Sequence, residues 1–302
     1  MTTFDVLGVG ENSVDYVYRV PALPQAGASS KVRITAHARR PGGQVATTMA
    51  ACARLGLKAA YVGAFGADEN GRISRAALQQ AAVDVGGAVI RDGAGRYAVI
   101  LVDEHTGERC VLWERDPAVV VSPDEVTPAM VSAARLVHVD AVDEELSMRA
   151  ARLARDAGVT VTSDIDTVTG RTRDLLAAVT VPIVAEQVAT ELTGESGLER
   201  ALRRLRRDHA GPLCVTRGER GAVLLAGDTF YEQPAFRVQA VDTTGAGDVF
   251  RAGFIYALLR GDPPAALLRF AAAAAALSCT REGALGSGPT LEEVETLLRQ
   301  VS

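Results

Sequence analysis

The stretch Val241-Asp242-Thr243-Thr244-Gly245-Ala246-Gly247-Asp248-Val249-Phe250 decides how the whole chain is interpreted. Small residues at 245–247 leave backbone N–H groups uncovered where a helix is predicted to begin. Unpaired N–H donors and the positive end of the helix dipole together favour an anion there. A carboxylate beside an anion site is unfavourable if the loop only binds phosphate, because like charges repel. Asp248 is explained if its carboxylate takes the proton from a hydroxyl that attacks the phosphorus. The stretch therefore predicts the catalytic loop of a phosphotransferase.

An ordinary strand-to-helix turn with an acidic first-turn residue would have the same pattern, so the flanking sequence has to decide. Downstream, apolar residues recur at helical spacing and Gly261-Asp262-Pro263-Pro264 ends the predicted helix. Upstream, the apolar residues between 236 and 241 predict an extended segment. The glycines thus fall between a strand and a helix, where a phosphate loop belongs. Their spacing matches neither the P-loop nor the dinucleotide fingerprint.

A second glycine-rich element runs from Arg40 to Gly56 and is predicted to be a loop that leads into a helix of small residues. Gly42 and Gly43 would let the backbone approach a ligand closely, and Gln44 and Thr47 would offer polar atoms near the helix start. Tight packing of this helix on a sheet would require the same small residues. Both interpretations can hold together.

Short apolar runs alternate with helical patterns along the chain, which predicts an α/β fold with a mostly parallel sheet covered on both faces. The runs are 6–9, 59–63, 136–139, 159–162, 181–184, 213–215 and 223–225, and the helical patterns are 44–55, 69–82, 143–157, 198–209, 247–260, 264–279 and 290–300. Strand-type alternation at 14–20, 31–36, 96–103 and 108–113 predicts an additional small β-sheet. We predict a single domain over residues 1–302.

Composition narrows the classes of function. The 302 residues are 48% apolar with a net charge of −5, which supplies a core and argues against nucleic-acid or anionic-membrane partners. No apolar run reaches membrane-spanning length, and no secretion signal is visible at the start. Four scattered cysteines, all interpreted as lying in apolar surroundings, show neither metal-ligand spacing nor a disulfide pattern. We therefore expect a reduced, cytoplasmic protein.

Taken together, these elements resemble the ribokinase-like sugar kinases, the PfkB carbohydrate kinase family, in its ketohexokinase-like or sulfofructose kinase-like branch. The segment 242–248 resembles the family's C-terminal motif and 42–56 its N-terminal one. The resemblance extends to 8–15, 216–221 and 279–283, and so spans the chain. It implies a ribokinase-like three-layer sandwich, with a β lid contributed by about 14–40 and 95–116. It also implies a small-molecule sugar substrate and a homodimer formed through the lid.

The resemblance also implies roles for individual residues. Asp248 would be the general base, and the backbone of Gly245, Ala246 and Gly247 would bind the transferring phosphate. Substrate would be bound by Asp15, Gly42, Gly43, Gln44, Thr47, Asp140 and Asp248. ATP would be bound by Thr216, Gly218, Gly221, Gly245 and Gly247. Mg²⁺ would be held by Asp164, Asp166 and Glu186. A monovalent cation such as K⁺ would be held by Asp242, Thr244, Ser278, Arg281, Gly283 and Ser287, mostly through carbonyl oxygens.

Three positions depart from the family pattern. Thr47 stands where the family often has an asparagine that touches substrate. Ala185 and Val188 stand where the family has the Asn-x-x-Glu motif that organises magnesium, so Glu186 or the two aspartates would have to substitute. No arginine follows Asp140, where kinases of sugar phosphates would bind the substrate phosphate. This last departure favours an unphosphorylated sugar.

The sequence therefore predicts an ATP-dependent kinase that phosphorylates a hydroxyl of an unphosphorylated sugar, with a ketose favoured. A nucleoside kinase of the same family is the alternative, with Tyr16, Tyr18, Tyr97 and Trp113 as the aromatics available to hold a base. A sugar-binding regulatory protein without catalysis is a second alternative. A dinucleotide-dependent oxidoreductase is disfavoured because 8–13 lacks the third glycine of that fingerprint.

Overall fold

The computed structural model describes residues 2–25 and 31–301. Its strands are β1 Phe4–Val9, β2 Ser13–Val20, β3 Ala36–Gly42, β4 Ala59–Val62, β5 Ala64–Gly66, β6 Val89–Arg91, β7 Tyr97–Asp103, β8 Arg109–Glu114, β9 Ala134–Asp140, β10 Thr160–Asp164, β11 Ile183–Ala185, β12 Leu213–Thr216, β13 Ala222–Ala226 and β14 Thr229–Gln233. Its helices are α1 Gln44–Arg54, α2 Glu69–Gln80, α3 Pro128–Ser132, α4 Glu144–Asp156, α5 Thr172–Ala178, α6 Glu186–Thr193, α7 Leu198–Leu205, α8 Ala246–Arg260, α9 Pro264–Ser278 and α10 Leu291–Gln300.

The central sheet consists of two four-stranded parts. Strands β10, β9, β1 and β4 pair in that order and are all parallel. Strands β11, β12, β13 and β14 form the second part, which is parallel between β11 and β12 and antiparallel beyond. Parallel bridges between Thr162 and Val181 and between Ile165 and Val184 join the two parts. The carboxyl ends of β1, β9, β10, β11 and β12 therefore lie along one edge of a continuous sheet.

Two apolar cores lie on opposite faces of this sheet. One core contains Leu136 with α1, α8 and α9, and the other contains the next residue, Val137, with α4, α6 and α7. Neighbouring residues of a strand point to opposite faces, so β9 contributes to both cores. Burial on both faces is why the parallel strands are almost entirely apolar. The predicted α/β fold with a covered, mostly parallel sheet is confirmed.

The predicted small sheet is also present, and we call it the lid sheet. Its strand order is β3, β2, β7 and β8, and a hairpin turn through 104–107 joins β7 to β8 as predicted. The predicted strand over 31–36 is wrong, because 31–35 have no regular structure and β3 begins at Ala36. Pairing explains the shift, since β2 matches Ser13 with Gly42 and so draws Gly42 into the sheet. Residues 26–30 of the predicted lid lie outside the described residues.

Other expectations need correction. Residues 234–240 are not a strand, because β14 ends at Gln233 and the chain then crosses to the loop before α8. Helices α3, α5 and α6 and strands β5, β6 and β14 were not predicted. Cys110 lies exposed on β8 and is not in apolar surroundings, whereas Cys52 and Cys214 are buried, and all four cysteines are free. Within the described residues, the search for a helix long and apolar enough to cross a bilayer found none.

Helices α8 and α9 pack closely at Gly253, which is fully surrounded. A Cβ atom at this position would lie 2.9 Å from the Cα of Ala271 and 3.1 Å from the Cβ of Ala274. The Cα of Ala271 is a backbone atom and cannot move aside as a flexible side chain would. A larger side chain at Gly253 can therefore be accommodated only if the two helices move apart. This contact supports the helix that carries Asp248.

We expect Gly253→Val to lower the free energy of unfolding by about 2–3 kcal/mol, the usual cost of forcing extra volume into a packed core. Urea denaturation followed by circular dichroism measures it. Gly170→Val is the control, because a Cβ at Gly170 meets no atom within 4 Å. Equal stability of the two variants would show that the helices do not meet as closely as described.

Candidate active site

The site lies at the sheet edge where the parallel strands end. Asp140 closes β9 and Asp164 closes β10, and the two are paired in register, so their side chains are neighbours on one face. Both are fully buried. Helix α8 begins beside them and brings Asp248 in its first turn. Three carboxylates from three elements thus converge at one edge of the sheet, where open α/β folds bind ligands.

The start of α8 is open to an anion. Gly245 precedes the helix with φ +77°, and a Cβ there would lie 2.9 Å from Ala284, so only glycine fits without strain. No side chain caps this helix. Among the residues that the structure describes, the N–H groups of Gly245, Gly247 and Asp248 have no hydrogen-bond partner, and that of Ala246 reaches the Thr243 carbonyl at 3.3 Å. We call residues 243–248 the anion loop.

Asp248 lies close to Asp164, and Asp164 pairs with the buried guanidinium of Arg251. Nη2 of Arg251 lies 2.5 Å from Oδ1 of Asp164, and both side chains are at most 4% exposed. Burial, and after it the charge of Asp164, raises the pKa of Asp248 well above its usual range, while Arg251 opposes the shift. Asp248 is therefore a stronger base than an exposed aspartate.

Two buried polar atoms in the first turn of α1 have no hydrogen-bond partner among the described residues. They are the hydroxyl of Thr47 and Oε1 of Gln44. Thr47 lies against the loop: a Cβ atom placed on Gly245 would be 3.4 Å from Cγ2 of Thr47. Buried polar atoms are nearly always hydrogen-bonded. Unsatisfied atoms at this position indicate that a ligand completes them.

The lid sheet faces the anion loop across a cavity of about 400 Å³. Asp15 from β2 lines this cavity together with Thr243 and Thr244 of the loop. Oδ2 of Asp15 lies over Gly42, where a Cβ would come within 2.6 Å of it. Burial raises the pKa of Asp15, and the hydrogen bond from Ser13 partly offsets the shift. The carboxylate of Asp15 thus lies beside Gly42 at the edge of the cavity, and its contact with a substrate stays a prediction.

Asp140 has a different environment from Asp15. Its oxygens accept the N–H groups of Glu11, at 2.6 Å, and Val142, at 3.0 Å. Burial, together with the nearby carboxylates of Glu11 and Asp143, raises its pKa to about 8. These contacts hold the loop after β1 in place beside β9. Contact between Asp140 and a substrate stays a prediction.

The residues assigned to ATP lie farther along the same sheet edge. Thr216 ends β12, and Gly218 opens the short 3₁₀ turn Gly218–Arg220 with φ +58°. Gly221 has φ +87° and packs against the backbone at Gln233, where a Cβ would come within 2.0 Å of a carbonyl oxygen. This turn is on the edge shared with Asp164, and it needs both glycines for its shape.

The three residues assigned to magnesium differ in how well they fit. Asp166 is exposed, and its Oδ2 accepts a hydrogen bond from Nε2 of Gln44 at 2.9 Å. Asp164 is buried against Arg251, and Glu186 is paired with Arg220. Nowhere in the described ranges do three metal-binding side chains cluster. Mg²⁺ in kinases needs only one or two carboxylates, because phosphate oxygens and water complete its shell. Asp166 is the residue that fits.

The residues assigned to a monovalent cation surround the anion loop. Asp242 precedes the loop, Thr244 lies within it, and Gly283 donates its N–H to Oδ2 of Asp242 at 3.0 Å. Ser278 ends α9, and Ser287 is buried. Nη2 of Arg281 lies 2.6 Å from Glu293 in α10. That these residues hold a monovalent cation stays a prediction.

Sequence reasoning missed three arginines of the site. Arg251 lies one turn beyond Asp248, and the only signal was a charged residue within the apolar pattern of α8. Arg40 and Arg109 extend from the lid sheet to the anion loop and its neighbour Asp242. Nothing in their local sequence indicated this contact, which depends on how the lid lies over the sheet.

Comparison with known proteins agrees with this geometry. The family model "pfkB family carbohydrate kinase" matches residues 4–291. The chain is 34% identical to an ATP-dependent ribose-1-phosphate kinase of Halopiger xanaduensis, and the match covers 98% of both chains. It is 30% identical to fructokinase-1 of Zea mays, again over 98% of both chains. Arabidopsis thaliana ribokinase, solved with ribose and ATP, superposes with a TM-score of 0.85 at 25% identity and 99% coverage of both chains.

These matches extend over nearly the whole chain and agree with the order of the motifs along it. The fold is therefore ribokinase-like, and the activity is that of an ATP-dependent phosphotransferase that uses an alcohol group as acceptor. The chain belongs to the PfkB family of carbohydrate kinases.

Proposed function

We propose that the chain transfers the γ-phosphate of ATP to a hydroxyl of a small sugar, with Asp248 as general base. The observation that carries this proposal is the position of Asp248 directly behind the free N–H groups of the anion loop. A hydroxyl that donates to Asp248 would face a phosphate bound by those N–H groups. Phosphoryl transfer depends mainly on such positioning and on charge stabilisation.

The remaining groups support this arrangement. Asp15, Gly42 and Gly43 would bind sugar hydroxyls, and the unpartnered atoms of Gln44 and Thr47 would complete the wall. Thr216, Gly218 and Gly221 would lie against ATP. Mg²⁺, when bound with ATP, neutralises charge on the phosphates, and Asp166 would hold it. Arg251 balances the charge of Asp164, so that Asp248 can lose its proton beside a second carboxylate.

Asp248→Asn removes the base while it keeps the size of the side chain. We expect kcat to fall by about 10²- to 10⁴-fold, the usual contribution of general-base catalysis, with little change in the Kd for ATP. ADP release gives kcat, and calorimetry gives the Kd. Asp156→Asn, at the exposed end of α4, is the matched control. An Asp248→Asn enzyme with full kcat would exclude Asp248 as the base.

Arg251 can be tested through stability. Arg251→Met leaves the buried carboxylate of Asp164 without its cation, and we expect the free energy of unfolding to fall by about 3–5 kcal/mol. Adding Asp164→Asn should restore part of the loss, because the two residues are coupled. Arg200→Met breaks the exposed pair with Glu195 and should cost less than about 1 kcal/mol. If Arg251→Met costs no more than Arg200→Met in urea denaturation, the buried pair does not form.

The acceptor is proposed to be an unphosphorylated ketose, because no arginine follows Asp140. Similarity to plant fructokinases supports this choice. A sugar phosphate is the second candidate, for two reasons. The relative from Halopiger xanaduensis is a ribose-1-phosphate kinase, and the guanidinium of Arg19, which lines the lid cavity, has no ion pair or hydrogen bond within residues 2–25 and 31–301.

A panel of free ketoses, ribose 1-phosphate and nucleosides discriminates these acceptors, with ADP release as the readout. We expect the highest kcat/KM on a free ketose. If ribose 1-phosphate is preferred, Arg19→Met should reduce its kcat/KM by about tenfold, the loss expected when a charged hydrogen bond is removed. Preference for nucleosides would favour the alternative of a nucleoside kinase, in which Trp113 is one of the aromatic residues available to hold the nucleobase. Binding of a sugar without turnover of any acceptor would indicate a regulatory protein and contradict the kinase proposal.

A homodimer through the lid sheet is also proposed. Strand β8 forms the edge of that sheet, and three consecutive apolar residues on it are more than half exposed, namely Val111, Leu112 and Trp113. Exposed apolar edge strands are usually covered by a partner. The resemblance to the family implies the same arrangement, in which the lid forms the interface.

A further inference from the structure

Two arginines of the lid sheet meet at Asp242. Nη1 of Arg40, on β3, lies 3.4 Å from Oδ2 of Asp242, and its Nη2 lies 2.5 Å from Glu282. Nη2 of Arg109, on β8, lies 3.5 Å from Oδ1 of Asp242. Arg109 also donates to the hydroxyls of Thr243, at 2.9 Å, and Thr244, at 2.7 Å. The lid thus places two positive charges directly beside the anion loop.

The carboxylate of Asp242 is saturated by donors of the protein itself. Oδ1 accepts from the N–H of Thr244, at 2.9 Å, and from its hydroxyl, at 2.7 Å. Oδ2 accepts from the N–H of Gly283 at 3.0 Å and from Arg40 at 3.4 Å. A carboxylate offers about four lone-pair sites, so these four hydrogen bonds occupy all the acceptor sites of Asp242. The side chain is only 17% exposed.

Other residues of the expected cation loop are also engaged. The hydroxyl of Ser287 is buried and donates to the carbonyl of Ala284 at 2.7 Å. The hydroxyl of Ser278 donates to the carbonyl of Ala275 at 2.8 Å, and the Ser278 carbonyl accepts the N–H of Arg281 at 3.1 Å. The side-chain oxygens of the expected site are therefore turned to internal partners, which leaves K⁺ only neutral carbonyl oxygens as ligands.

A bound monovalent cation does not fit the charges beside Asp242. Two carboxylates, those of Asp242 and Glu282, already face two guanidinium groups there, so the cluster is neutral and leaves no negative charge for a further cation. The side chain of Arg40 packs over Gly283, where a Cβ would lie 3.1 Å from its Cδ. Arginine also stays protonated at any physiological pH, so the charge beside Asp242 is permanent.

We propose that this kinase needs no monovalent cation, because Arg40 and Arg109 supply the positive charge beside the anion loop. The proposal rests on the proposed function, since the anion loop is taken to bind the transferring phosphate. Both arginines belong to the lid sheet. Positive charge therefore reaches the loop when the lid lies over it, so that coverage of the substrate and charge at the loop are coupled.

The first experiment compares catalysis in potassium chloride and in tetramethylammonium chloride at equal ionic strength. For the unmodified chain we expect kcat and the KM for ATP to agree within about twofold, because there is no ion to lose. The double variant Arg40→Met with Arg109→Met should have a lower kcat than the unmodified chain. Its kcat should be at least about fivefold higher in K⁺ than in tetramethylammonium. In each single variant, K⁺ should raise kcat by a smaller factor. In Arg40→Lys, which keeps the charge, K⁺ should leave kcat unchanged.

Arg39→Met is the matched control. Arg39 is the neighbour of Arg40 on β3, points to the opposite face and pairs with Glu69 of α2 at 2.9 Å. Its loss removes an arginine from the lid without changing the charge at the anion loop. We expect this variant to be insensitive to K⁺, like the unmodified chain.

The second readout is the melting temperature in the two salts, which requires no turnover. K⁺ should leave the melting temperature of the unmodified chain unchanged and raise that of the double variant, because a bound ion stabilises the folded state. Activation or stabilisation of the unmodified chain by K⁺ would overturn the proposal, as would a folded double variant without any K⁺ response. Absence of turnover on every acceptor would contradict the proposed function alone, since the melting comparison would still decide the cation proposal.

Discussion

The burial of two adjacent carboxylates beside an anion-binding helix start is the constraint on which the rest of the site depends. Asp248 and Asp164 repel each other, and burial increases the cost of charging both. One guanidinium, that of Arg251, offsets this cost from within the same helix that carries Asp248. The position of α8 relative to the parallel strands is therefore narrowly constrained. The close contact of α8 with α9 at Gly253 helps to fix it.

The same loop is constrained from its other side by the lid sheet. Charge beneath the loop comes from Arg251, and charge above it comes from Arg40 and Arg109. An anion bound by the loop would thus lie between fixed positive groups of the protein. Preorganised charges of this kind stabilise a developing transition state without reorganisation during the reaction. The lid contributes to the electrostatics of the site as well as to the exclusion of water.

Much of this architecture follows from the sequence. Apolar runs and helical spacing located the parallel strands and seven of the helices, because burial on both faces imposes a clear pattern. The glycine-rich loops were located because few other residues fit their backbone. The strand expected at 31–36 failed, since its position depends on pairing with β2. The partners of Arg251, Arg40 and Arg109 could not be predicted, because they lie in elements remote in sequence.

The most direct test of the account is a crystal structure with ADP, aluminium fluoride and the preferred sugar. We expect the fluoride group to accept hydrogen bonds from the N–H groups of Gly245, Gly247 and Asp248. We also expect one sugar hydroxyl to donate to the carboxylate of Asp248, within about 3.2 Å. A fluoride group bound away from this loop, or an acceptor hydroxyl that faces a different carboxylate, would contradict the central claim.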